Sequence, residues 1–216
     1  MALGDGIRRN IATVSKEERD RFRDAILALA QLKFPGAPSD PIPGGVSYWF
    51  KQDEIHDSTH VHYCPAFFPW HRELMNRFEG MLRGVDPALS LHYWDWTQDP
   101  TNTPDGQGGF VNLFSPDFMG TANGAMGPPF GAVGLFYGAA AGQDRDSTNN
   151  PADPPLTVVR QVGHLGALIT AAQEAVLLAA PDFVELSGRM QGTPPYPDLH
   201  ATAHSYVGGT IRSAHT

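Results

Sequence analysis

Histidines are the residues of this chain whose number and spacing most clearly indicate chemistry. Four of the nine lie between positions 56 and 71, and three lie between positions 200 and 215. Imidazole is the commonest side-chain ligand for metals in proteins. The sequence therefore points first to a metal centre built from two separate stretches of chain.

The first cluster joins the end of one predicted helix to the start of another. His56 ends a predicted helix that begins at about residue 46, His62 follows in extended chain, and His71 lies in the first turn of the helix predicted over 69–83. His71 shares one face of that helix with apolar residues at helical spacing. Three imidazoles from two helices and their connection can therefore converge on one ion.

The second cluster is a pair of histidines, His200 and His204, on a helix predicted over about 199–207. An i, i+4 pair places both rings on one side of a helix, about 5–6 Å apart at Cβ. No carboxylate stands between them as in a zinc protease, and no Cys-x-x-Cys accompanies them as in a zinc finger. Coordination by imidazoles alone suits copper or zinc rather than magnesium or calcium.

Longer motifs surround these histidines. His62 is followed by Phe-Pro-Trp-His-Arg at 68–72 and by Leu-His-Tyr-Trp-Asp-Trp at 91–96, and His204 is followed by Val-Gly-Gly at 207–209. Together they resemble the type 3 copper proteins, which include tyrosinases, catechol oxidases, other polyphenol oxidases and hemocyanin relatives. The order also matches, with a copper A block at about 47–96 before a partial copper B block at about 196–216.

The resemblance implies a dinuclear site with two copper ions. His56, His62 and His71 would hold copper A, and His200 and His204 would hold copper B. His60 stays open as an alternative to His56, which is preferred because it ends a helix. The implied reaction is the oxidation of o-diphenols, and in some members monophenols, to o-quinones. The expected partners are a phenolic small molecule and dioxygen.

The third copper B histidine of the family has no matching motif in this chain. His215 is the only histidine after His204, and no apolar helix surrounds it. We expect that the chain is incomplete at its C-terminus. A C-terminal segment or a second chain would then supply the missing ligand.

Two residues near the second cluster depart from the family pattern. Ala201 stands where many tyrosinases have asparagine, and Gln191 stands where the resemblance would place an upstream glutamate. Without a carboxylate base, a monophenol is harder to deprotonate. The substitutions therefore favour oxidation of diphenols over hydroxylation of monophenols.

Three further residues are expected near the site. By the resemblance, Val207 and Gly208 border the substrate pocket. Asp95, between two tryptophans, is a candidate buried carboxylate that orients a ligand imidazole or Arg72, with a purely structural salt bridge as an equal alternative.

The helices that must position these residues indicate a mainly α fold. We expect an antiparallel four-helix bundle core with long irregular loops, in one domain over 1–216. Ser15-Lys-Glu-Glu is a capping-box pattern that starts a helix ending near residue 34, and a further helix is predicted over about 167–179. The Gly- and Pro-rich region 98–155 is predicted as a covering loop.

Composition excludes several classes of function. The chain has 216 residues, a formal charge of −8 and no run of Lys and Arg, which argues against nucleic acid or an anionic membrane as partner. It has no apolar run long enough to span a bilayer, one cysteine, and no apolar leader at its N-terminus. The expected location is cytoplasmic, with secretion by a partner protein kept open as an alternative.

Two alternatives to a phenol oxidase stay open. The chain could be a dioxygen-binding or catalytically inert copper protein, or a structural zinc-binding helical domain. Among phenol oxidases, a monophenol-active tyrosinase or an aminophenol oxidase on the same scaffold also stays open. A single histidine is more often structural than metal-binding, and His92 and His164 are interpreted in that way.

Overall fold

The computed structural model describes residues 3–37, 39–42, 44–59, 61–130 and 158–212. The alternative ligand His60, His215, and residues 131–155 of the predicted loop region lie outside this set. The described residues form six α-helices: α1 (Lys16–Gln31), α2 (Tyr48–Ser58), α3 (Phe67–Val85), α4 (Ala171–Leu178), α5 (Phe183–Met190) and α6 (Leu199–Val207).

Strands are few and short in the described residues. β1 (Thr103–Pro104) pairs antiparallel with β2 (Phe110–Val111), and β3 (Asn123–Ala125) pairs antiparallel with β4 (Val159–Gln161). The mainly α class is therefore confirmed, whereas the antiparallel four-helix bundle stays a prediction. In the part of the chain described, no helix is both long and apolar enough to cross a membrane.

Helix α1 lies against α2 and α3 and supplies much of the main core. Its apolar side chains recur at helical spacing, so one face is buried while charged residues occupy the other. The buried side chains of this core include Phe22, Ile26, Leu29, Leu82 and Leu89. A smaller cluster, formed by Ile169, Leu177 and Leu199, lies under α4 and α6.

The start of α1 matches the predicted capping pattern only in part. The hydroxyl of Ser15 accepts a hydrogen bond from the Glu18 amide at 3.1 Å, as an N-cap does. The Glu18 carboxylate does not complete the box, because it accepts from Nε2 of His92 at 2.8 Å. His92, far away in the sequence, thus binds the Glu18 side chain that the local pattern had assigned to a helix cap.

Helix α3 is longer than the predicted 69–83. It begins at Phe67, so Pro69 lies in the first turn, where its missing amide proton is not needed. It continues through Gly84, which the sequence suggested as the residue just beyond the helix. The helix ends at Asp86, whose carboxylate accepts two hydrogen bonds from Arg21 of α1, at 2.7 and 2.8 Å.

The second half of the chain contains one helix that was not predicted. The helix expected over 167–179 is α4, shortened by the capping box of Thr170 and Gln173. Helix α5 follows after Asp182, whose side chain accepts from the Glu185 amide at 2.9 Å. Its Asp-x-x-Glu start was available as a signal, but Pro181 and the short length of the helix concealed it.

Helix α6 has the predicted bounds and ends at two glycines for a steric reason. Gly208 and Gly209 adopt φ values of +62° and +70°, where L side chains are rare. A Cβ on Gly209 would lie 2.0 Å from the carbonyl oxygen of Val159 in β4. The glycines therefore allow the end of α6 to pass close against β4.

The N-terminal segment is fastened to α3 by one carboxylate. Glu79 accepts from Arg8 at 2.7 and 3.2 Å and from the Leu91 amide at 2.8 Å. Three separate stretches of chain thus meet at a side chain that is 19% exposed.

Replacing Glu79 with Gln should lower the free energy of unfolding at neutral pH by about 1 kcal/mol, since hydrogen bonds to charged groups contribute about 1.5–3 kcal/mol and partial exposure reduces this. The hydrogen bond from Arg8 lowers the pKa of Glu79 below its ordinary 4.5. The stabilisation is therefore complete above the unfolded pKa and is lost as pH falls through the lower folded pKa. Urea unfolding over a pH series measures the difference between the two proteins. A difference that does not shrink in acid would contradict this assignment.

Candidate metal centre

Three imidazoles meet where α2 ends and α3 begins. His56 lies in the last turn of α2, His62 in the connection, and His71 in the second turn of α3. One nitrogen from each lies within 4.8 Å of the others, and the Nε2 atoms of His56 and His71 are 3.2 Å apart. All three side chains are half-buried. The structure therefore brings together the first three histidines that the sequence predicted.

A backbone hydrogen bond determines which nitrogen of His71 is available to a metal. Nδ1 of His71 lies 2.7 Å from the carbonyl oxygen of Phe67, one helical turn earlier. Because a carbonyl only accepts, Nδ1 carries the proton and Nε2 has the free lone pair. A carbonyl that orients the ring in this way is a common support for metal-binding histidines.

The second pair of histidines faces the first group. The rings of His200 and His204 on α6 are 4.4 Å apart, and the ring of His200 is 5.4 Å from that of His62. Nδ1 of His204 donates to the carbonyl oxygen of Ile211 at 3.2 Å, which again leaves Nε2 free. The structure thus places five imidazoles from two distant parts of the sequence in one cluster.

The crowding keeps these rings in the form that binds metals. Burial, and then the neighbouring imidazoles His204, His62 and His71, lower the pKa of His200 to about 3. Burial is also the main cause that lowers the pKa of His62 and of His71. At neutral pH these three imidazoles are uncharged, and only the uncharged ring has a lone pair for a metal.

Phe67 is a site residue that was not predicted. Its side chain is 4% exposed and its ring lies 4.4 Å from that of His71, 5.0 Å from that of His200 and 5.7 Å from that of His62. It thus packs against imidazoles of both groups. The only signal in the sequence was the run of aromatic residues directly before His71.

Gln191 connects α5 to the loop that carries His62. Its side chain is 8% exposed, its Oε1 accepts from the Tyr63 amide, and its Nε2 donates to the hydroxyl of Ser187 at 2.8 Å. Ala201 lies in the first turn of α6, where its amide donates to the Asp198 carboxylate at 2.8 Å. The side-chain amide of Gln191 thus holds the backbone of Tyr63, the residue directly after His62.

Asp95 corrects one expectation from the sequence. Its carboxylate accepts from the amide and the hydroxyl of Thr97, at 3.0 and 2.7 Å. These bonds form an Asx turn, in which an aspartate side chain bonds the backbone two residues further along the chain. The structure therefore gives Asp95 a role in a loop and not in orienting a ligand imidazole or Arg72.

Val207 and Gly208 line a cavity of about 360 Å³ together with residues of α2, β4 and the segment that follows α6. Ile211, whose carbonyl accepts from His204, also lines it. Ile211 therefore connects the wall of this cavity to His204. That it receives substrate stays a prediction.

The donor set fits copper. Three imidazole nitrogens converge, His62 and His71 are uncharged at neutral pH, and the Nδ1 proton of His71 is held by a carbonyl. Copper and zinc both accept such a site, whereas magnesium and calcium prefer oxygen ligands.

The fold and this cluster define a mainly α protein with a histidine-lined metal centre. A family model described as the common central domain of tyrosinase matches residues 45–216. The chain belongs to the tyrosinase family, and the recognition from its histidine motifs is confirmed.

Individual relatives are only distantly similar. The chain is 29% identical to a tyrosinase-like protein of Caenorhabditis elegans, over 99% of this chain and 28% of that protein. It is 32% identical to a tyrosinase of Streptomyces glaucescens, over 53% of this chain and 38% of that enzyme. With a grixazone synthase of Streptomyces griseus it shares 29% identity, over 94% of this chain and 74% of the relative.

The fold is shared with a solved structure. A polyphenol oxidase mutant (G292N) of Thermothelomyces thermophila superposes with a TM-score of 0.67 at 21% identity, over 97% of this chain and 64% of that one. The chain thus spans less than two thirds of that structure and less than two fifths of the first two relatives.

Replacing His71 with Ala should abolish copper retention by the first group of histidines while the fold persists. Changes to residues that merely support a ligand weaken metal binding about 10–100-fold, and loss of the ligand itself should exceed this. His164→Ala, an exposed histidine outside the cluster, is the matched control. Copper analysis and circular dichroism of desalted proteins measure the two effects. Equal copper retention in both variants would contradict the site.

Replacing Phe67 with Leu should weaken copper binding about 10-fold, because the ring that packs against both groups of imidazoles is lost. Phe22→Leu is a control for the loss of volume, since Phe22 is buried in the main core on α1. Both changes should lower the free energy of unfolding by about 1 kcal/mol. Competition with a copper chelator distinguishes them, and equal copper affinities would show that Phe67 acts only in packing.

Proposed function

We propose that this chain is the copper-binding core of a phenol oxidase that converts o-diphenols to o-quinones with dioxygen. The observation that carries the proposal is the convergence of two groups of histidines from distant parts of a tyrosinase-family chain. His56, His62 and His71 form one group, and His200 and His204 lie next to it. Coordination by imidazoles alone suits a metal that changes oxidation state without a change in ligand charge.

His56, His62 and His71 would hold one copper ion, and His200 and His204 would contribute to a second. In the described residues, only the first three form a group of at least three potential ligands. The third ligand for the second copper would therefore come from outside the described residues. His215, a further C-terminal segment, or a second chain are its proposed sources.

The chemistry that bound copper supplies is the transfer of electrons from phenol to dioxygen. Two catechols release four electrons and four protons in total, and one dioxygen is reduced to two waters. Phe67 would exclude water from the space between the imidazoles, because its ring is buried against three of them.

Catechols are proposed as substrates in preference to monophenols because of the residues near α6. Ala201 has no basic side chain, and an amide such as that of Gln191 cannot take a proton at neutral pH. Gln191 is moreover engaged with Tyr63 and Ser187. A monophenol would therefore lack a carboxylate at these positions to remove its proton.

Copper content per chain and oxygen uptake test the proposal together. After loading with copper and desalting, we expect two copper ions per chain once the third ligand is supplied. We also expect catechol-dependent uptake of dioxygen and little uptake with tyrosine. His71→Ala should lose copper and the uptake with catechol, whereas His164→Ala should keep them.

Other results would support the alternatives. Two copper ions without catechol turnover would indicate a dioxygen-binding or inert copper protein. A structural zinc domain would retain zinc in preference to copper and show no oxidase activity. In that case His71→Ala would lower only the stability of the protein. Uptake with tyrosine as fast as with catechol would contradict the proposed substrate class.

A further inference from the structure

Tyr63 follows His62 directly and has an unusual backbone. Its φ is +55°, and it is the only non-glycine residue with positive φ in the described residues. Non-glycine residues adopt this left-handed conformation infrequently, and when they do the surrounding structure normally holds them there. The contacts of Tyr63 therefore indicate what holds the loop that carries His62.

Two hydrogen bonds hold Tyr63 in place, and both reach the second half of the chain. Its amide donates to Oε1 of Gln191, a buried side chain at the end of α5. Its hydroxyl donates to Oδ2 of Asp198 at 3.0 Å. A carboxylate only accepts, so the Tyr63 hydroxyl is the donor in this contact.

Asp198 has a second role that makes this contact informative. Its other oxygen, Oδ1, accepts from the Ala201 amide at 2.8 Å and so caps the N-terminus of α6. Helix α6 carries His200 two residues after Asp198. One carboxylate therefore joins the residue after His62 to the helix that positions His200.

We propose that Tyr63 is a positioning residue that sets the spacing between the two groups of imidazoles by clamping the His62 loop to the N-terminus of α6. The path runs from His62 through Tyr63 and Asp198 to His200, whose ring lies 5.4 Å from that of His62. This inference rests on the proposed function, because the spacing matters for a dinuclear copper site.

The side chain of Tyr63 is 74% exposed, so the clamp adjusts the site and does not hold the fold together. An exposed hydrogen bond contributes little to global stability. Removal of the hydroxyl should therefore leave a folded chain with altered spacing. The effect can then be measured without unfolding the protein.

The test uses the full chain and four variants. Tyr63→Phe removes the hydroxyl. Asp198→Ser keeps an N-cap for α6 but lacks the second oxygen that reaches Tyr63. The double variant combines the two changes, and Tyr93→Phe removes the hydroxyl of another exposed tyrosine as the matched control.

Two measurements on copper-free protein report the clamp directly. In Tyr63→Phe, we expect the Ala201 amide to exchange about two- to tenfold faster, the factor that corresponds to loss of one ordinary hydrogen bond. We expect the nuclear Overhauser effect between the rings of His62 and His200 to weaken. Both effects should be absent in Tyr93→Phe.

A third measurement uses copper-loaded protein. Two closely spaced Cu(II) ions that are antiferromagnetically coupled give no electron paramagnetic resonance signal, whereas uncoupled ions do. We expect a larger visible fraction of copper in Tyr63→Phe and in Asp198→Ser than in the wild type, and no further increase in the double variant.

An unchanged ring-to-ring effect in Tyr63→Phe overturns the inference, as does a double variant whose effects are the sum of the two single ones. Faster exchange at Ala201 without a change in ring spacing also overturns it, since Tyr63 would then only support a helix cap. Uncoupled or missing copper in the wild type counts against the proposed function and not against the clamp. In that case, amide exchange and the nuclear Overhauser effect in copper-free protein test the clamp by themselves.

Discussion

The crowding of five imidazoles into one small space is the constraint on which the rest of the structure depends. Neighbouring rings lie as close as 4.4 Å, and a proton on one disfavours a proton on the next. Burial and this mutual repulsion lower the pKa of His200 to about 3 and act in the same direction on His62 and His71. Uncharged rings can pack against Phe67 without counter-ions, and they present lone pairs to a metal.

The imidazoles are held in place by nearby carbonyls and by contacts from distant parts of the chain. A carbonyl one helical turn earlier orients His71, and a carbonyl beyond the end of α6 orients His204. Gln191 and Asp198, from the second half of the chain, hold the residue that follows His62. Behind them, Glu79 and Asp86 fasten α3 to the N-terminal segment and to α1. Helix α3, which carries His71, is therefore fastened by ion pairs, and polar contacts from Gln191 and Asp198 join the His62 loop to α5 and α6.

The departures from the family pattern concern residues beside the histidines and not the histidines themselves. Gln191 and Ala201 leave the ligand imidazoles unchanged but supply no carboxylate near α6. In the proposed phenol oxidase, a monophenol would therefore have less help in losing its proton. The proposed preference for catechols rests on this difference.

Local pattern in the sequence determined most of the helices and the candidate ligands. It indicated α1, α2, α3, α4 and α6 but not α5. The histidine motifs indicated His56, His62, His71, His200 and His204. Only the tertiary structure decided which long-range partners took the polar side chains: Glu18 bonds His92 and not its own helix end, and Tyr63 reaches Asp198. It also decided that Phe67 lies between the two groups of histidines. Spacing along the chain reports contacts three or four residues apart, whereas a contact between residues more than 100 positions apart depends on how the packed helices bring them together.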